Sequence, residues 1–127
     1  MPVIGLDHIQ LAMPKGDEDL GRRFYGELLG LSEIAKPADL AARGGVWFQC
    51  GPIQLHLGVA KEFSPALKAH PGLLVDKLEP LALALQNAGY RVESDAPIEG
   101  FSRIFTADPF GNRIELLERT ALPSPAP

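Results

Sequence analysis

Hydrophobic and polar positions alternate over residues 5–13 (GLDHIQLAM). Ile9, Leu11 and Met13 fall on one face and His8, Gln10 and Ala12 on the other, the signature of a strand with one covered face, ended by Pro14. The period then lengthens. Residues 17–29 predict a helix with Leu20, Phe24, Leu28 and Tyr25 on its apolar stripe, acidic residues in its first turn and Gly30 at its C-cap. A short strand over 31–35 and a loop over 36–44 with room for one helical turn follow. Residues 45–50 and 53–58 then read as a hairpin about Gly51-Pro52.

After a connector over 59–69 the same order returns. Residues 70–76 predict a strand, and 78–88 a helix with Leu78, Leu81, Ala82 and Leu85 inward and Gly89 as its cap. A strand over 90–93, a loop over 94–100 and a second hairpin, 101–107 with 113–119, complete the half. Each half reads strand, helix, strand, strand, strand, which makes the chain an α+β protein built from a repeat. The halves span about 5–58 and 70–119 and are expected to form a single domain over 1–119, since neither would cover its own sheet alone. Residues 120–127, rich in proline and small side chains, are expected to form a loose tail.

The repeat organises the candidate chemistry. His8 and His70 open the first strand of each half, and His56 and Glu115 lie in the last strand of each. In each strand the apolar parity accounts for the core and leaves the ligand-type residue on the other face. A turn at Gly51-Pro52 pairs Trp47 with His56 and Gln49 with Gln54, which sets an aromatic wall and amides beside the histidines. Singly, any of the four would be an ordinary surface or core residue. As all the histidines of the chain at repeat-related positions, His8, His56, His70 and Glu115 read as a ligand set for one divalent metal ion (Zn, Ni, Mn, Co or Fe).

With 127 residues, the chain has the size of one compact domain. A formal net charge of −4 with scattered basic residues points away from nucleic acid as a partner. One cysteine, Cys50, excludes an internal disulfide, and no stretch is apolar enough for a membrane span or a secretory signal, so a cytoplasmic protein is expected.

Four segments, DHIQLAMP (7–14), FYGELLGL (24–31), AHPGLLVDKLEPLALALQNAG (69–89) and DPFGNRIELLE (108–118), resemble the vicinal oxygen chelate superfamily: glyoxalase I, extradiol dioxygenases, fosfomycin-resistance enzymes and bleomycin-resistance proteins. The resemblance covers about residues 5–119. It implies two βαβββ modules forming one cupped mixed sheet around a metal, with helices on the convex side. By position His8, His70 and Glu115 match the most widespread ligand sites. His56 matches a site that holds glutamate in glyoxalase I, and is read as a fourth ligand or as the proton acceptor. The potassium-binding stretch of fosfomycin thiol transferases is replaced here by EGFSRIF (99–105).

The resemblance implies a small-molecule substrate with adjacent oxygens and a homodimer. Dioxygenase chemistry adds a further histidine or tyrosine beside the metal, and here the histidines are already committed while Tyr25 and Tyr90 read as core. Lyase or isomerase chemistry, with Glu115 and His56 as catalytic groups, is therefore preferred. Gln10, Trp47, Gln54, Arg103 and Arg113 are the expected substrate-binding residues, the arginines favouring an acidic substrate. The register about 108–112 leaves open which face carries Arg103. The alternative is a non-catalytic binder of bleomycin-resistance type, its pocket lined by Trp47, Phe101 and Phe105.

Overall fold

A computed structural model describes residues 2–120. The alternation in HIQLAM produces strand β1 (His8–Met13), whose Met13 is buried beneath the helices while His8 and Gln10 remain exposed. It starts three residues later than expected, because residues 5–7 precede the ladder to β4. Helix α1 (Glu18–Gly21) runs directly into a π-helical stretch (Arg22–Leu28) in which the Leu29 N–H reaches back to the Phe24 carbonyl at 2.9 Å. The wider turn lets the adjacent Phe24 and Tyr25 both face the sheet. Leu20, expected on the apolar stripe, points outward and is 38% exposed, and Gly21 takes the contact instead. A Cβ at Gly21 would lie 2.6 Å from Leu57 Cδ1, so any larger residue here would have to displace that side chain for the helix to rest as close to the sheet.

Strand β2 (Ser32–Ile34), the single turn α2 (Ala38–Ala41) and the hairpin of β3 (Val46–Cys50) and β4 (Ile53–Val59) complete the first module. The sheet runs β1-β4-β3-β2, with β1 parallel to β4 and the rest antiparallel. Trp47 faces His56 and Gln49 faces Gln54, the register expected from the turn at Gly51-Pro52.

In the second module β5 (Gly72–Leu74), α3 (Leu78–Asn87), β6 (Phe101–Ala107) and β7 (Arg113–Arg119) give a sheet ordered β5-β7-β6. Here the expected elements shrink. The strand foreseen over 70–76 is three residues long and leaves His70 in the segment before it. The strand foreseen over 90–93 is reduced to one bridge, Glu93 to Phe105. The fold is α+β with two βαβββ-like modules, whose strands are hydrogen-bonded as two sheets rather than one continuous sheet.

A buried polar knot joins the modules. The Asp108 carboxylate accepts the Tyr25 hydroxyl at 2.6 Å, the Asn112 side-chain amide at 3.0 Å, and the backbone N–H groups of Phe110 and Asn112, each at 2.9 Å. Asn112 in turn donates to the Ala12 carbonyl of β1 at 2.8 Å and accepts the Ala66 N–H at 3.1 Å. The core lies on both sides of this knot, from Phe24, Phe48 and Leu55 to Leu85, Ile114 and Leu116.

Two outcomes follow from the knot. Asn112→Ala takes away the partners of the Ala12 carbonyl and the Ala66 N–H and one of the two donors to Asp108 Oδ2, and should lower unfolding free energy in urea by about 3 kcal/mol. Burial, then Asp108, push the Tyr25 hydroxyl well above its ordinary value of 10.0. Above that value the unfolded chain releases a proton that the folded one keeps, so stability should fall as pH rises. Denaturation at increasing alkaline pH should show a shallower fall in Tyr25→Phe, with the remainder due to Tyr90 and the Cys50 thiol, which burial also raises.

Candidate functional site

The open face of the first module is carried by β1, β4 and β3. Asp7 accepts a hydrogen bond from His8 Nδ1 at 2.9 Å, which leaves Nε2 of the neutral ring bare. The His8 ring stacks on His56, with centroids 4.4 Å apart, and His56 stacks in turn on Trp47 at 3.8 Å and an interplanar angle of 1°. His56 is only 4% exposed inside this sandwich. Its Nε2 donates to Gln54 Oε1 at 2.9 Å, so the lone pair of the neutral ring lies on Nδ1. Burial, then the neighbouring His8 and Lys36, lower the pKa of His56 below its ordinary value against the opposing pull of Asp7. Gln10 lies over Gly58, where a Cβ would come within 2.5 Å of its Nε2.

The second module carries the acidic group. Glu115 sits opposite Phe105 on β6 and Gly72 on β5. His70 Nδ1 donates to the Lys68 carbonyl at 2.9 Å and turns Nε2 towards Glu115 Oε1, 3.3 Å away. With its proton on Nδ1, the neutral ring presents a lone pair to a carboxylate oxygen. Such a pair is stable only with a cation on or between its members, either a proton or a metal ion.

The histidines and Glu115 therefore form two pairs, His8 with His56 and His70 with Glu115. Among the described residues no group of three or more His, Cys, Asp or Glu side chains is placed to hold a metal ion, so the two pairs do not merge within one chain.

The arginines take different roles. Five residues separate Ala107 from its partner Arg113, a register that sets Arg103, Phe105, Arg113 and Glu115 on one face. Arg103 donates to Glu115 Oε2 at 2.9 Å and, through Nε and Nη2, to the Ala96 carbonyl at 3.1 and 2.6 Å. Each of its three nitrogens makes one of these bonds, and it serves as the positioning residue for Glu115. Arg113 sits over the Phe105 ring, its guanidinium carbon 3.9 Å from the centroid, with Asp95 at 3.8 Å as its nearest carboxylate. Phe101 carries Arg119 over its ring and stands farther along the same hairpin.

Asp7 and Gln54, which fix the ring nitrogens of His8 and His56, are legible in hindsight as neighbours in DH and QLH. The Lys68 carbonyl that orients His70 carries no side-chain signal.

A family model described as Glyoxalase/Bleomycin resistance protein/Dioxygenase superfamily matches residues 5–116. Among solved structures, a protein of the glyoxalase family from Bacillus anthracis is 43% identical, covers 93% of this chain and 97% of its own, and superposes with a TM-score of 0.87. Lactoylglutathione lyase from Agrobacterium tumefaciens (19% identity, 93% and 96% covered, TM-score 0.71) shares the fold. So does the genomically encoded fosfomycin resistance protein of Listeria monocytogenes (16% identity, 93% and 95% covered, TM-score 0.73). A comparison with curated proteins gave no match.

The division between the arginines can be measured. Arg103 and Glu115 are both 12% exposed, so Arg103→Ala leaves a largely buried carboxylate without its partner and should cost about 3 kcal/mol of stability. Arg113→Ala should cost under about 1 kcal/mol, since no hydrogen bond is lost. Chemical denaturation of the two variants side by side distinguishes them.

Proposed function

The chain belongs to the Glyoxalase/Bleomycin resistance protein/Dioxygenase superfamily, and on that premise we propose that it is a metal-dependent lyase or isomerase for a small molecule with adjacent oxygens. The observation that carries this reading is the His70–Glu115 pair. An imidazole nitrogen and a carboxylate oxygen 3.3 Å apart, each held from behind by Lys68 and Arg103, are two preset ligands of a divalent ion. His8, with Nδ1 held by Asp7 and Nε2 bare, has the same preparation and is the third. His56 differs, because its Nε2 is bound to Gln54. It supports the His8 ring from below.

Because the two pairs do not merge within one chain, each site is completed in a homodimer, with His8 of the partner subunit facing His70 and Glu115. The exposed apolar residues Val3, Ile4 and Leu6, directly before His8, supply surface that such a partner would cover.

When bound, the ion supplies Lewis acidity towards the substrate's oxygens and acidifies the adjacent C–H. The protein's own groups then handle the proton. Nδ1 of the neutral His56 is an acceptor that is not itself a ligand, though Trp47 and His8 cover both faces of its ring, and Glu115 Oε1 is the alternative acceptor where it is not engaged as a ligand. Trp47, Gln10 and Gln54 line the opposing wall.

A second reading, a binder without chemistry, is favoured by the same wall: three parallel rings ending at the exposed His8 form a platform for a planar ligand. Metal retention separates the two. Protein loaded with Zn²⁺, Mn²⁺, Ni²⁺ or Fe²⁺ and desalted should keep one ion per chain, measured by elemental mass spectrometry. His8→Ala and His70→Ala should each lose it. Mixed and refolded together, these two variants should recover one site per mixed dimer, since one of its two sites is intact. Failure of wild-type protein to retain any of the four ions would leave the binder.

A further inference from the structure

A cavity of about 240 Å³ lies at the outer edge of β6, lined by Phe105, Thr106, Ala107, Leu67, Arg91 and Arg113 among others. Arg113 is its cation. Its side chain is only 28% exposed, its guanidinium carbon sits 3.9 Å from the Phe105 ring centroid, and among the described residues the guanidinium donates no hydrogen bond to any protein group. Its N–H donors are open to solvent and free for a ligand, and the guanidinium fork fits a carboxylate through two parallel bonds. The remaining charges agree. Arg91 adds a second cation at the rim, partnered by Glu93, while Asp95, the carboxylate nearest Arg113, stops at 3.8 Å on the half-exposed loop over 94–100. Leu67, Phe105 and Ala107 supply the apolar remainder.

We propose that Arg113, on its Phe105 platform, is the anchor for the carboxylate of a small apolar acid, and that Asp95 occupies the neighbourhood of that anion until the acid displaces it. The assignment deepens the small-molecule reading of this site and rests on it for its place in a reaction. Arg113 and Glu115 are two residues apart on one face of β7, roughly 7 Å along the strand. An acid held at both would therefore carry its carboxylate about the breadth of an aromatic ring from its chelating oxygens. Arg103, each of whose nitrogens already donates to Glu115 or the Ala96 carbonyl, takes no part in binding the acid.

The test uses metal-free protein, so that its result does not depend on the metal reading, and the probe pair benzoate and benzamide, followed by calorimetry. Benzoate should bind at least tenfold more tightly than benzamide. Arg113→Gln should remove that preference, and Arg113→Lys should keep part of it. Asp95→Asn, a change at a half-exposed loop position, should tighten benzoate several-fold by removing the competing carboxylate. Equal binding of acid and amide, no binding of benzoate, or benzoate affinity unaltered in both Arg113→Gln and Asp95→Asn would overturn the assignment. None of these outcomes bears on whether His70 and Glu115 hold a metal. If wild-type protein retains no ion but prefers benzoate, the metal reading fails and the acid subsite stands.

Discussion

A single buried carboxylate governs how the two halves of this molecule meet. Asp108 carries a negative charge into a region closed to water, and is tolerated there because four donors converge on it. One donor, the Tyr25 hydroxyl, comes from the helical layer of the other module. Another, the Asn112 amide, also grips the β1 carbonyl at Ala12. The turn between β6 and β7 is thereby fixed in length and direction, and so is the register that sets Phe105 opposite Glu115. Everything on the open face of the second module inherits its position from that turn.

The charges on that face are arranged in sequence. Glu115 has one oxygen on Arg103 and the other facing His70, so the carboxylate is oriented and partly neutralised before any ligand arrives. Arg103 also holds the Ala96 carbonyl and so ties the loop over 94–100 to the same carboxylate. Arg113, two residues away, has the same charge and none of these commitments. Two arginines that read alike in the sequence are separated by what their donors already hold.

Much of the fold was legible because strands with one covered face announce themselves. The parity of Ile9, Leu11 and Met13 set His8 and Gln10 outward, and the Gly51-Pro52 turn gave the pairing of Trp47 with His56. Where the sequence misled, a different interaction decided. Leu20 lost its inward place because π-helical winding brings Phe24 and Tyr25 side by side, which a 3.6-residue period does not describe. His70 lies outside β5 because its ring is held by a carbonyl rather than by a ladder. The face of Arg103 was ambiguous because alternation cannot distinguish a four-residue turn from a five-residue one; the hydrogen bonds of Asp108 decide it. The separation of the histidines and Glu115 into two pairs had no signal at all, since the spacing of a repeat says which positions correspond and not whether they meet.

Trp47 is the only tryptophan in the chain, and its indole lies parallel to the His56 ring at van der Waals distance. An imidazolium at that range quenches indole emission by accepting an electron, whereas a neutral imidazole does so poorly. Burial favours the neutral ring, so adding a proton to His56 should dim the Trp47 emission. The stack that supports His8 thus gives the molecule an intrinsic optical reporter, one that needs no label and sits one ring away from the histidine it would report on.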